Sequence, residues 1–227
     1  MRRLDNLRYM KMLNLDHQFD YWNRMGPSKP FGHPLNLDRL SRHLSPGTRI
    51  LDLGCGYGRA LGLLFDHGYR NLIGFDPAPA MIAMARARYP AIEFNELNSA
   101  PRLPLPDNSV DATILFSVLT CVPTDKGQRG IVDEVRRVLR PGGLLYISDL
   151  WLQTDDRNRE RYARDEPKYG IYGVFDLPEG VTVRHHDPRW IEELTQNFGR
   201  VALDPVDVVT MNGNSAKAFQ WFGVKQD

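Results

Sequence analysis

Two aspartates and three glycines set the first chemical question. The segment ILDLGCGYGRAL, residues 50–61, ends a run of strand-forming residues in Asp52 and then places Gly54, Gly56 and Gly58 at alternate positions. Such a loop brings bare backbone close to a ligand: Gly54 permits the tight turn, Gly56 admits the ligand, and Gly58 eases packing of the helix that follows. A glycine-rich turn that binds nothing has the same composition, so the loop needs partners. Asp76 is one. It ends the next strand-like run, 22 residues after Gly54, where a carboxylate accepts hydrogen bonds from both hydroxyls of a ribose. Asp52 is the other. A carboxylate beside the loop repels a pyrophosphate and suits a ligand bearing ammonium and sulfonium charges.

These residues need a parallel sheet to position them, and the chain supplies its pattern. TRILDLG, NLIGFD, AIEFNEL, SVDATILFSVL and LLYISDL read as five strands. Helical stretches lie between them: RALGLLFDHG, closed by Gly68; APAMIAMARARYP; and RGIVDEVRRVLR, whose Ile131, Val132, Val135, Val138 and Leu139 share one face. This alternation implies right-handed crossovers and a sheet covered on both faces. Asn212, Gly213 and Asn214 separate RVALDPVDVVT from SAKAFQWFGVKQ as a hairpin, so the last strand is expected to be antiparallel. Residues 1–47 read as helix, loop, helix, with Pro34 early in the second helix. Residues 151–184 break the rhythm and read as an insertion, charged at first and then rich in Tyr, Gly and Phe.

Composition narrows the setting. A chain of 227 residues fits one large domain or a domain with a lid, and 42% hydrophobic with 25% charged residues fits a soluble globular protein. A net charge of +1 gives no basic field for nucleic acid. Cys55 and Cys121 have neither metal-ligand nor disulfide-framework spacing, which points to a reducing, cytoplasmic setting. The start, MRRLDNLRYMKML, lacks the apolar core of a signal peptide, and no apolar run approaches the ~18 residues of a membrane span.

S-adenosylmethionine carries both charges that Asp52 suits, and the wider pattern agrees. The stretch from about Thr48 to Asp149 resembles the class I S-adenosylmethionine-dependent methyltransferase family. ILDLGCGYGR, IGFDPAPAMIAMAR, LPLPDNSVDATILFSVL and VRRVLRPGGLLYISD stand in the family's order. The resemblance implies an α/β, Rossmann-like, doubly wound sheet of about seven strands, mostly parallel with an antiparallel last strand. The N-terminal cap spans 1–47 and the cofactor-binding catalytic domain 48–227. Gly54 and Gly56 would face the methionine part of the cofactor, with Asp52 near its amino group. Asp76 would hold the ribose, and Met81 would pack near the adenine or ribose. Cys55 and Pro77 complete this set. The family usually has an Asp after the third strand to accept from the adenine amino group. Here Asn98 stands there, within one residue; its carbonyl can accept and the Ser99 amide can reach the ring. Phe116 and Ser117 end the fourth strand, where backbone contacts to the methionine moiety are usual. Tyr21 and Trp22 sit on the N-terminal helix, which similar proteins close over the cofactor. Their faces suit a sulfonium through cation–π attraction of about 0.5–2 kcal/mol; alternatively they anchor the helix to the core.

The acceptor side is less legible. His185 and His186 have the pKa to take a proton near neutrality, or they merely flank Asp187, which reads as a helix cap before Pro188. Tyr172, with Tyr169 and Phe175, either lines an acceptor pocket or forms the insertion's own core. Lys29 and His33 order over the substrate or serve as a connector. Asp149 ends the fifth strand and faces the ligand side or solvent. DDRNRERYARDE reads as a solvated helix face with internal ion pairs. No His, Cys, Asp and Glu cluster has metal-ligand spacing, so no metal is expected.

The expected activity is methyl transfer to a small-molecule acceptor, in which the protein mostly supplies proximity and orientation. The same cofactor site also accommodates attack on another sulfonium carbon, with aminocarboxypropyl transfer or cyclisation releasing methylthioadenosine. It further accommodates a non-catalytic cofactor-binding module. Protein and nucleic-acid acceptors are disfavoured, because SDLW follows the fifth strand in place of an Asn/Asp-Pro-Pro-aromatic signature. The expected partners are a small acceptor, no nucleic acid and no membrane, with the chain a monomer or homodimer.

Overall fold

A computed structural model describes residues 15–227. The first part of the expected cap, residues 1–14, lies outside the described residues. The chain forms α1 (Phe19–Met25), α2 (Leu37–Ser41), β1 (Ile50–Leu53), α3 (Arg59–Asp66), β2 (Leu72–Asp76), α4 (Pro79–Arg88) and β3 (Glu93–Glu96). It continues with β4 (Val110–Phe116), α5 (Asp125–Val138), β5 (Leu139–Leu150), α6 (Asp156–Tyr169), β6 (Val174–Asp176), β7 (Thr182–Arg184), α7 (Pro188–Leu194), β8 (Phe198–Val209) and β9 (Ser215–Lys225).

Seven strands make one sheet in the order β3-β2-β1-β4-β5-β9-β8. β1 to β5 pair in parallel, and β9 runs antiparallel between β5 and β8. The Rossmann-like sheet with its antiparallel last strand is the one expected. Alternation along the strands sorts the core onto two faces. Leu51, Leu115 and Leu145 pack with Val132, Val135 and Val138 of α5 and with Ile191 and Leu194 of α7. Ile50, Ile114 and Tyr146 pack on the other face with Leu40 of α2, Leu61 and Leu64 of α3, and Ile82 of α4. Asp52 shares the parity of Ile50. The order reverses between β1 and β4, so their carboxyl ends open a crevice.

Helix boundaries follow local chemistry. Thr124 caps α5 at Gly127 N–H, and Asp187 caps α7 at Arg189 N–H with Pro188 in the first turn. Two N-terminal boundaries differ from expectation. α1 begins only at Phe19, and α2 begins at Leu37 because Asn36, not a residue near Pro34, accepts from Arg39 N–H at 3.0 Å.

The insertion folds as α6 followed by the antiparallel pair β6–β7. Its small core of Tyr162, Phe175, Val181 and Val183 also takes in Tyr21 of α1. Gln18 binds this hairpin through both ends of its amide, donating to Thr182 O and accepting from Thr182 N–H, each at 2.7 Å. Lys29 reaches Glu179 at 2.9 Å and Asn212 Oδ1 at 2.8 Å. The cap and the insertion are thereby one clamped unit over the strand ends. No helix among the described residues is long and apolar enough to cross a membrane.

Candidate functional site

The crevice holds two adjoining cavities. The first lies over the β1, β2 and β4 ends. The second lies under the cap and the insertion. Trp22, Phe31, Ser117 and Cys121 line both and form the wall between them.

The glycine loop is folded back onto β2. Gly54 and Cys55 N–H donate to Phe75 O at 2.7 and 3.1 Å. Gly54 has φ +78°, and a Cβ there would lie 2.5 Å from Val118 Cγ2, so no side chain fits this turn. The Gly56 amide donates to Asp76 Oδ2 at 2.9 Å, and Ala78 N–H donates to Oδ1 at 2.8 Å. Each Asp76 oxygen keeps a free lone pair for a further donor. Burial raises the Asp76 carboxyl to about 6 despite those two amides.

Asp52 is the most informative group. It is buried, and its Oδ1 has no hydrogen-bond partner among the described residues. Burial pushes its carboxyl up to about 8, against the nearby Arg59 charge. An unpaired buried oxygen is costly. A ligand ammonium on this wall would satisfy it and favour the ionised form. The donor set therefore fits S-adenosylmethionine: a carboxylate for the ammonium, a fixed carboxylate for the ribose, and aromatic faces at Trp22 and Phe31 for the sulfonium.

The expected cofactor residues divide. Asp52, Gly54, Cys55, Gly56, Asp76, Pro77, Met81, Phe116, Ser117 and Trp22 all line the first cavity. Ser117 adopts φ +56°, a costly conformation for a non-glycine residue, at the dividing wall. Tyr21 does not line it. Its ring packs into the insertion core, set edge-on to Trp22 at 5.0 Å, so one aromatic anchors the helix and the other faces the ligand space. Asn98 and Ser99 are exposed in the loop after β3 and lie outside the lining.

Of the expected catalytic residues, only His185 reaches a cavity, the second. Tyr162 OH bonds its Nδ1 at 2.5 Å while accepting from Gln153 N–H at 3.1 Å. Burial, then the Arg161 charge, drives its pKa well below the usual value, so the imidazole is neutral. His186 is a correction. It is fully buried and lines neither cavity, bonding Leu150 O through Nδ1 and Gln128 Nε2 through Nε2, both at 3.0 Å. Burial holds it neutral, with a pKa near 3. Gln128 also accepts from Trp190 Nε1 at 2.6 Å, so His186 belongs to a polar knot in the core. Tyr172 is a second correction: it is exposed, lines neither cavity, and only meets Tyr162 edge-on. Tyr169 is tied to Asp176, and Phe175 alone of the three insertion aromatics lines the second cavity. Asp149 is not solvated; Thr120 and Leu150 N–H bind it in the core.

His33, named with Lys29 as a candidate over the substrate, lines the second cavity with Nδ1 2.9 Å from Ser148 Oγ, and burial lowers its pKa to about 4. Two arginines on the cavity walls had no clear sequence signal. Arg59 supplies a cation beside Asp52 and donates to His33 O at 2.6 Å. Arg161 departs from the solvated face expected for α6; it turns onto the wall of the second cavity.

Residues 51–147 match the family model of a methyltransferase domain. A relative in Mycolicibacterium smegmatis named a "probable S-adenosylmethionine-dependent methyltransferase" is 39% identical over 148 residues, 65% of this chain and 51% of that protein. A demethylmenaquinone methyltransferase of Beutenbergia cavernae is 33% identical over 61% of this chain and 55% of its own length. The chain thus spans about half the length of these curated relatives. The crystal structure of a SAM-dependent methyltransferase from Methanosarcina mazei superposes with a TM-score of 0.79 at 25% identity, covering 86% of this chain and 99% of that one. With the sheet order, the glycine loop and both aspartates in place, residues 51–147 form a methyltransferase domain of the class I S-adenosylmethionine-dependent type.

Proposed function

We propose that the chain transfers the methyl group of S-adenosylmethionine to a small-molecule acceptor held in the second cavity. The observation that carries this reading is the shared wall. Trp22, Phe31, Ser117 and Cys121 bound both cavities, so a group held against that wall from one side is presented to the other. The bound cofactor supplies an electrophilic methyl on a cationic sulfur. The chain's own residues hold and orient. Asp52 takes the ammonium, Asp76 the ribose, and the Gly54–Gly56 backbone admits the methionine portion. Trp22 and Phe31 exclude water that would compete for the reactive carbon. His33 and His185 are neutral at pH 7 and border the acceptor, where either can receive a hydrogen bond or proton as its tautomer allows. The enclosure favours a compact molecule over a macromolecule, and the Beutenbergia relative is named for demethylmenaquinone as its acceptor.

Incubation of the purified chain with S-adenosylmethionine, with and without a small-metabolite extract, tests this. Mass spectrometry should find S-adenosylhomocysteine only when extract is present. Methylthioadenosine without extract would replace methyl transfer by attack on another sulfonium carbon.

A further inference from the structure

α6 carries Arg157, Arg161, Arg164 and Lys168 at steps of four, three and four residues, which places them along one helix face. Three of the four have an acidic neighbour: Arg164 holds Asp165 at 2.8 Å, Lys168 holds Asp176, and Arg157 stands 3.8 Å from Asp155. Two further carboxylates border this mouth: Glu179 is taken by Lys29, and Glu160 is exposed with no ion pair among the described residues. Arg161 has no acidic partner among the described residues. Its guanidinium stands 3.7 Å over the Phe175 ring, and its Nε is buried with no acceptor.

Where this side chain stands gives the unpaired charge its meaning. Arg161 and Arg157 line the second cavity and also border the shallow outer basin that it meets, together with Leu177 and Asn212. Burial pulls the Arg161 pKa down, yet guanidinium titrates so far above neutrality that the charge persists. A partly desolvated guanidinium without an anion is a standing cost that an arriving anion relieves, and its planar fork suits two oxygens at once. Trp22 and Phe31 present aromatic faces on the cofactor side of the cavity, and Phe175 presents one beside Arg161.

We propose that the second cavity takes an anionic, amphipathic acceptor: a carboxylate or phosphate monoester on an apolar body, its anion on Arg161 with Arg157 at the rim. The reacting atom then points inward to the wall of Ser117 and Cys121. This rests on the methyltransferase reading above, because it treats the second cavity as the acceptor site.

Calorimetry on the full chain loaded with S-adenosylhomocysteine tests the proposal. The probes are 4-phenylbutanoate and octanoate, their methyl esters, and octyl phosphate. The charged probes should bind about tenfold to a hundredfold tighter than the esters, the range of a charge-assisted hydrogen bond. Arg161→Gln should erase that preference, Arg161→Lys should keep part of it, and Arg159→Gln, the same charge change on an exposed position of α6, should leave it intact. Carboxylate against phosphate affinity identifies the headgroup. Equal binding of acids and esters, a preference that survives Arg161→Gln, or no binding of any charged probe would overturn the proposal. Each protein is first titrated with S-adenosylhomocysteine. Normal uptake by Arg161→Gln certifies its fold, whereas failure of the wild-type chain to bind it would condemn the cofactor reading instead.

Discussion

In its proposed place beside the ammonium, Asp52 ties cofactor binding to pH. Its carboxyl has an ordinary value of 3.8 and stands near 8 in the free protein, because burial opposes ionisation. At pH 7 it is therefore mostly protonated. Contact with the cofactor ammonium favours the carboxylate, so binding should expel a proton and affinity should rise with pH until about 8. The sign for stability is the reverse. The raised carboxyl stabilises the free fold at low pH, and that contribution is lost as pH climbs from about 4 through 8. Titration with S-adenosylhomocysteine at pH 7, in two buffers of different ionisation enthalpy, should show proton release that Asp52→Asn abolishes. Heats independent of buffer would remove Asp52 from the ammonium site. Gly56 makes a second case. It sits at φ +54°, and a Cβ would meet Met81 Cε at 3.1 Å, a flexible end that can yield. Gly56→Val should therefore cost about 1–3 kcal/mol of stability, the scale for backbone strain, yet leave a folded chain that no longer binds cofactor. A melting curve and a titration check this, and unimpaired binding would show that the ligand does not approach that backbone.

At the scale of elements, the cap and the insertion act together. Gln18 and Lys29 tie the segment around α1 to Thr182 and Glu179, and Tyr21 completes the insertion's core. A lid hinged on this unit should close as one piece. Hydrogen exchange should therefore slow over residues 17–33 and 174–184 in parallel when S-adenosylhomocysteine binds. Lys29→Ala should speed exchange in both segments. Equal protection with and without ligand would make the unit a fixed part of the fold. The individual elements of this unit were only partly legible in the sequence. VFD and VTVR flank Leu-Pro-Glu-Gly, a turn signal that marks the β6–β7 hairpin once it is sought. The inward turn of Arg161 has no local signal, since a helical repeat of arginines reads alike whether it faces water or a cavity.

Over the whole molecule, what could be read in advance was what local rules decide. Strand alternation, the glycine turn and the Asn212–Asn214 hairpin each draw on nearby backbone preferences, and the sheet order follows from right-handed crossovers. His185 and His186 mark the limit. Neighbours on an extended segment point to opposite sides, so one meets the cavity and the other enters the core beside Gln128; only packing decides which. Tyr21 and Trp22 also divide, but by the rotation of one helical step on α1. The cofactor half of the site was legible because it is built of loops at strand ends, whereas the proposed acceptor half is assembled from α6, the cap and the β8–β9 turn, far apart in the chain. Central to all of this is one cofactor site per chain, organised by Asp76. Calorimetric titration of S-adenosylmethionine into the wild-type chain and Asp76→Ala tests it most directly. The wild type should bind one equivalent, and the folded variant should bind about 1–3 kcal/mol more weakly, the scale of lost charged hydrogen bonds. No binding by the wild type, or undiminished affinity in the variant, would contradict it.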